Sequence, residues 1–247
     1  MLHGLTYGTI ARNASQAKYP SLWKGLVGAW YPMLGRTGLS IPDLSGCRRH
    51  AAIPTPEIAG IRFGLPVINN DNDRYLSLGN VWKNGQTAGT VFTYAVSSIN
   101  YSVSLFLVSS SASWGTAGSL GNGSGTVAFA APAVLLTAPW LDRTGFHAVA
   151  GAFSPSRSVL MIDGGQTACV TGNGGGALSA TGSNVTKAGY SSSATAALLL
   201  YSIDIGDANM LLLSADPLAP LRRRDDFDDV TAGSAAAAII AASEAQE

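Results

Sequence analysis

From Leu22 onward the chain is built of short apolar runs, partly alternating with Ser, Thr and Gly and separated by clusters of Gly, Pro, Asn and Asp. That spacing predicts β-strands joined by turns. The clearest case is Phe146–Phe153, then Ser154-Pro-Ser-Arg157, then Ser158–Ile162, which stops at Asp163-Gly164. Two apolar runs around a Pro-containing turn predict a β-hairpin, and Asp-Gly tolerates the backbone of the next tight turn. A lone hairpin is marginal in water, so this one requires a sheet beside it and a second layer against its apolar face.

The same reading places a strand over residues 22–34, ending near Pro32, and a short extended piece over Leu39–Gly46. Another element begins at Cys47–Ile53, and further strands fall at Arg74–Leu78, Thr90–Val96, Tyr101–Val108, Asn184–Gly189 and Ala194–Asp204. Thr126–Leu136 has strand character broken by Pro132. Residues 69–73, 115–125 and 164–176 read as polar or glycine-rich connections. A short helix is predicted over Ile205–Leu213 with Asp207 as its cap, and an Ala-rich terminal helix over Ser234–Ala245 with Ser234 as its cap. Trp23 and Trp30 are the expected packing residues of a sandwich core. The predicted fold is all-β, a two-sheet antiparallel sandwich over residues 22–217. Residues 1–21 form an N-terminal arm, and residues 218–247 form a C-terminal arm with its helix.

Composition sharpens this picture. Charged residues make up 12% and Gly contributes 29 of 247 positions, against roughly 25% charged in an average soluble domain. Such a surface is either packed against partners or rich in Ser, Thr, Asn and Gly. Lys plus Arg equals Asp plus Glu at 15 each, which argues against an electrostatic grip on nucleic acid or a membrane surface. No apolar stretch is long enough to span a bilayer as a helix, and no basic region followed by an apolar run marks a signal peptide at the N-terminus. Cys47 and Cys169 are too far apart in sequence for a zinc-type cluster and are expected as buried free thiols, with a single disulfide as the alternative.

Candidate chemistry is sparse. Asn69-Asn-Asp-Asn-Asp73 gathers oxygen-bearing side chains, so Asn70, Asp71 and Asp73 are calcium candidates, although the spacing is not that of an EF-hand and turn chemistry explains the same residues without an ion. Glycoside hydrolysis needs two carboxylates flanking the scissile bond. The glutamates are Glu57, Glu244 and Glu247, which provide no such pair on one strand. The histidines are His3, His50 and His147, too few to assemble a Ser-His-Asp site readily, and His147 at a strand start reads as a sheet residue. No enzymatic activity and no cofactor are expected. Trp82, Trp114 and Trp140 lie in or near loops and are the candidates for an aromatic platform contacting glycans; covering a sheet edge is their alternative role.

The order of several pieces resembles the concanavalin A-like, laminin-G-type domain. The pieces are Leu26-Val-Gly-Ala-Trp30 with Asp43-Leu-Ser-Gly46, Asn72–Gly79, Phe146–Phe153 with Leu160–Gly164, Ala197–Asp204, and Leu213–Pro217. The resemblance implies a jelly-roll sandwich and matches Asp43, Asn72, Asp73 and Asp163 to the family's turn positions, without a clear calcium set. The family's close acidic pair near the end is replaced here by Asp216-Pro217. The opening Ser21–Trp30 and the ending Asp216–Leu221 resemble proteins of tailed bacteriophages, which use such sandwiches as capsid decoration or tail-associated proteins. The expectation is therefore a structural virion protein that self-associates, for example as a trimer, and contacts the major capsid protein or tail proteins. The alternative is a non-catalytic carbohydrate-binding module for host glycans.

Overall fold

A computed structural model describes residues 10–70, 76–78, 81–82, 85–97, 103–108, 119–123, 126–131, 134–139, 145–171, 177–178, 186–190 and 193–224. In chain order the strands are β1 (Leu26–Trp30), β2 (Ser40–Ile41), β3 (Ala51–Ala52), β4 (Ala59–Arg62), β5 (Leu65–Asn70), β6 (Leu76–Ser77), β7 (Gly89–Ser97) and β8 (Val103–Val108). They continue with β9 (Ser119–Gly123), β10 (Thr126–Ala131), β11 (Val134–Pro139), β12 (His147–Phe153), β13 (Arg157–Ile162), β14 (Gly165–Thr171), β15 (Thr186–Tyr190) and β16 (Ser193–Tyr201), and helix α1 (Gly206–Ala215) follows.

The strands form two antiparallel sheets, giving the all-β sandwich expected from the sequence. One runs β14-β13-β12-β7-β16-β5-β4, and the other β11-β10-β9-β8-β15-β6-β3-β2. In the first sheet β16 pairs with β7 along one side. Along the other it pairs with β5 through Ser193–Thr195 and with β1 through Leu198–Tyr201. The predicted hairpin is present in register, with Phe153 opposite Ser158 and Val149 opposite Ile162.

Every residue of β16 is buried, because both faces of its sheet are covered. Leu198 and Leu200 point into the core between the sheets with Trp30, Trp82, Phe129 and Phe153. Leu199 and Tyr201 point the other way, into a second apolar layer with Phe92, Leu22, Leu26, Met210, Leu213 and Leu221. A strand covered on both sides reads as a continuous apolar run, whereas β11, covered on one side, alternates cleanly between exposed and buried. Close packing across the sandwich requires glycine at 151, since a Cβ there would collide with the Phe129 ring.

Several sequence expectations need correction. The strand read over residues 22–34 is β1 flanked by two 3-10 turns, Pro20–Trp23 and Pro32–Leu34, because each proline fixes a helical φ at the first position of its turn. The glycine-rich stretches at 115–125 and 164–176 contain strands β9 and β14, held by ladder bonds to β8, β10 and β13 despite poor strand propensity. Helix α1 starts beyond Ile205 with no side-chain cap; the Gly206 amide donates to Asp204 Oδ1 at 3.0 Å, and Asp207 instead binds Arg157. Cys47 and Cys169 are free but exposed, since both lie at the periphery, in the loop after Asp43 and on β14. The Ala-rich stretch 234–245 lies outside the described residues.

The second apolar layer is completed by both ends of the described chain. The Ala11 amide donates to Leu221 O at 2.8 Å and the Lys18 amide to Arg222 O at 2.7 Å, with an antiparallel bridge between Ala17 and Arg223. Trp23 Nε1 donates to Pro220 O at 2.7 Å and Ser21 Oγ to Asn209 Oδ1 at 2.9 Å. Ile10, Ala11, Ala17 and Leu22 are buried beneath this clasp.

Candidate functional site

Of the aromatic residues expected to contact glycans, Trp82 cannot do so. It has no exposed surface, its Nε1 donates to Tyr201 O at 3.0 Å, and its ring meets Phe153 edge-on at 5.5 Å. An indole buried in this way closes the core and offers no platform. Trp114 and Trp140 lie outside the described residues, as do Asp71, Asn72 and Asp73. Asn70 ends β5 opposite Ser193. Among the described residues no group of three or more His, Cys, Asp or Glu is placed to hold a metal ion.

The remaining turn carboxylates are structural. Asp43 is buried, and Oδ1 accepts from the amides of Ala29 (3.0 Å) and Ser45 (2.9 Å) while Oδ2 accepts from that of Arg49 (2.9 Å). The Asp43 amide donates to His50 Nδ1 at 3.1 Å, and Trp30 Nε1 donates to Arg49 O at 2.7 Å, so the 43–50 loop is knotted onto β1. Asp163 and Gly164 both have positive φ, 48° and 79°, and form the two-residue turn between β13 and β14. Asp163 Oδ1 accepts from the Ala148 amide at 2.8 Å, and Oδ2 lies 2.6 Å from His147 Nδ1. The His147 ring thus serves the turn, in keeping with its reading as a sheet residue.

An aromatic cluster that the sequence reading did not single out occupies the outer side of the first sheet. Arg62 and Leu65 are paired across a two-residue turn, Phe63-Gly64, with φ of 46° and 79°. Asn, Asp or Gly ordinarily fills the first of these positions, because a left-handed backbone crowds the Cβ of a bulky residue. Phe63 nonetheless sits there with 61% of its surface exposed. Its ring is braced edge-on against Phe146, with centroids 6.0 Å apart and planes at 79°. Phe146 in turn stacks on Tyr94 at 5.1 Å and 25°, a contact made possible because Tyr94 pairs with Ala148, two residues along the same face.

Burial, assisted by the negative charge of Asp163, raises the Tyr94 phenol above its ordinary value and keeps it neutral. Ile61 on the same hairpin is 73% exposed, and Arg62 Nε donates to Asn69 Oδ1 at 3.1 Å. The arrangement is an ordered aromatic surface, Phe63 on Phe146 and Phe146 on Tyr94. The signal available in the sequence was Phe-Gly at 63–64, an aromatic in a turn slot.

A shallow groove of about 460 Å³ lies between the N-terminal segment and the Asp43 loop. Arg12 and Arg48 line it beside Ile10, Pro42 and Leu44, and Asp43, the one carboxylate among its described lining residues, is already committed to three backbone amides. Among the described residues it holds neither a carboxylate pair nor a nucleophile with a base.

The class defined by these features is a β-sandwich with a surface aromatic cluster. No family model matches the chain, and no curated protein matches it. Among solved structures it is similar to Trypanosoma rangeli sialidase in complex with sialic acid, at a TM-score of 0.57 and 12% identity over 77% of this chain and 32% of that one. It is also similar to the binding domain of botulinum neurotoxin DC in complex with SialylT, at a TM-score of 0.55 and 9% identity over 78% of this chain and 52% of that one. The chain therefore spans about a third of the first protein and about half of the second. At such low identity the likeness is one of fold alone.

Proposed function

We propose that the protein is a structural virion protein of a tailed bacteriophage, a capsid decoration or tail-associated subunit that stabilises the particle by burying surface against itself and against major capsid or tail proteins. The observation that supports this reading most is the clasp. Ser21–Trp30 and Asp216–Leu221, which separately resemble phage proteins, pack on one another through Trp23 and Pro220 and share one apolar layer through Leu22, Leu26, Leu218 and Leu221. Two resembling segments that form one structural unit are a stronger resemblance than two unrelated ones. The low surface charge suits a subunit repeated across a lattice.

The test is co-sedimentation of purified protein with intact phage shells, together with its mass in solution. Retention at a fixed stoichiometry is expected. A monodisperse monomer with no affinity for shells or tails overturns the reading.

A second reading, glycan recognition without catalysis, is favoured by the Phe63–Phe146–Tyr94 cluster. The two proteins of similar fold named above were solved in complex with sialic acid and with SialylT, and a fold of this kind carries its function in sites grafted on its surface. The two readings are compatible in a particle subunit whose outer surface meets a cell.

A further inference from the structure

We propose that the groove between the N-terminal segment and the Asp43 loop is the docking site of this chain's own acidic run, Asp225-Asp226-Phe227-Asp228-Asp229, which lies outside the described residues. Its carboxylates answer Arg12 and Arg48, and its one aromatic ring meets the apolar lining of Ile10, Pro42 and Leu44.

The clasp delivers the run to the groove. Residues 222, 223 and 224 run antiparallel to 18, 17 and 16, and the Arg224 amide donates to Gln16 O at 3.0 Å. The Gln16 side chain in turn accepts the Arg12 amide at Oε1, also at 3.0 Å. Gln16 thus touches both Arg224 and a residue of the groove's lining, and the acidic run starts one residue beyond that contact. Five extended residues span about 17 Å. A segment tethered this close is present at high effective concentration, so weak contacts suffice to hold it.

The two surfaces match in kind. Arg12 and Arg48 are exposed, and the Arg48 guanidinium has no partner among the described residues. Asp43 is buried on the amides of Ala29, Ser45 and Arg49 and pairs with neither arginine. The loop that carries Arg48 is tied to β1 through Asp43 and Trp30, which lowers the ordering cost of binding. Of the arginines directly before the run, Arg222 pairs with Asp216 through Nε at 2.7 Å and Arg224 Nε donates to Ala17 O at 3.1 Å, so both point into the clasp. Phe227 has two aspartates on either side, and the groove has apolar residues with one arginine on each wall, so ring and carboxylates find their partners in the same order.

The test uses the full chain with Val230→Cys, which places a thiol directly after the run, and diamide as oxidant. The native thiols are the reporters. Exposed Cys47 lies between Gly46 and Arg48 of the groove, and exposed Cys169 on β14 is the control for random encounter. An intrachain disulfide to Cys47, mapped by peptide mass, is expected to form in preference to one with Cys169 and at a rate independent of dilution. Neutralising the run by Asp225→Asn, Asp226→Asn, Asp228→Asn and Asp229→Asn together is expected to slow this cross-link about five-fold, the scale of two exposed ion pairs, and raised salt is expected to slow it as well. Arg12→Gln, which alters neither the run nor a thiol, is the second variant and is expected to act in the same direction. Far-ultraviolet circular dichroism of each variant controls for folding. Equal reaction with Cys47 and Cys169, or a rate that neither set of substitutions changes, overturns the proposal. A disulfide that forms between chains and fades on dilution assigns the groove to the acidic run of a second copy and overturns its assignment to the same chain.

Discussion

At the scale of single residues, Asp43 illustrates how much one side chain can organise. Its carboxylate takes the amides of Ala29, Ser45 and Arg49 in a buried setting, and each such charge-assisted bond is worth more than a neutral one. Asp43→Ala leaves three donors without their acceptor and is expected to cost about 3 kcal/mol of unfolding free energy, measured by urea denaturation. A loss below about 1 kcal/mol shows that water replaces the carboxylate without penalty. The sequence displayed this residue through its Asp-Leu-Ser-Gly context, yet it could not show that the acceptors face β1, because the three donors come from positions 29, 45 and 49. Trp82 was legible as an important aromatic and wrongly placed on the surface. Its loop position suggested exposure, whereas its burial depends on Phe153 and Tyr201, which are distant in sequence.

At the scale of elements, the hairpin β12–β13 was legible because its partners are adjacent and its turn is short. Strands β9 and β14 were not, since their residues favour turns and only the neighbouring strands hold them extended. Helix α1 was legible in place but not in its anchoring. Arg157 at the start of β13 makes a bidentate pair with Asp204, through Nε at 2.6 Å and Nη2 at 2.9 Å, and reaches Asp207 through Nη1 at 2.7 Å. This pins the entry of α1 to the first sheet. Burial alone would raise the Asp204 pKa, but the Arg157 hydrogen bonds, the Gly206 amide, the Arg157 charge and Ser154 together hold it below the usual carboxylate range. A carboxylate whose folded pKa lies below its unfolded value stabilises the fold above the unfolded pKa, near 4, and loses that contribution as pH falls through the folded pKa. The stability difference between wild type and Asp204→Asn is therefore expected to be constant from pH 7 to about pH 5 and to shrink below about pH 4, as read from urea midpoints. A difference that grows on acidification contradicts this assignment.

At the scale of the whole molecule, the two-sheet architecture followed from the density of short apolar runs, while the third layer was hidden. Residues 10–24 show no clean period because they cover the first sheet with isolated side chains, Ile10 and Leu22, in a segment fixed by backbone bonds to 221–224. Deleting residues 1–21 is expected to uncover apolar surface around Leu221 and Tyr201, lower the melting temperature by several degrees and increase dye binding to exposed apolar surface. An unchanged melting curve shows that the layer contributes nothing to the fold.

The clasp also determines how the molecule carries load. Because residues 11–18 are bonded directly to 221–224, tension applied through the two ends of the chain meets these few hydrogen bonds before it reaches any sheet ladder. The sandwich stands outside the force path until the clasp has opened. In the proposed role as a particle subunit, strain entering through the ends of the chain is taken up by the clasp while the two sheets stay intact.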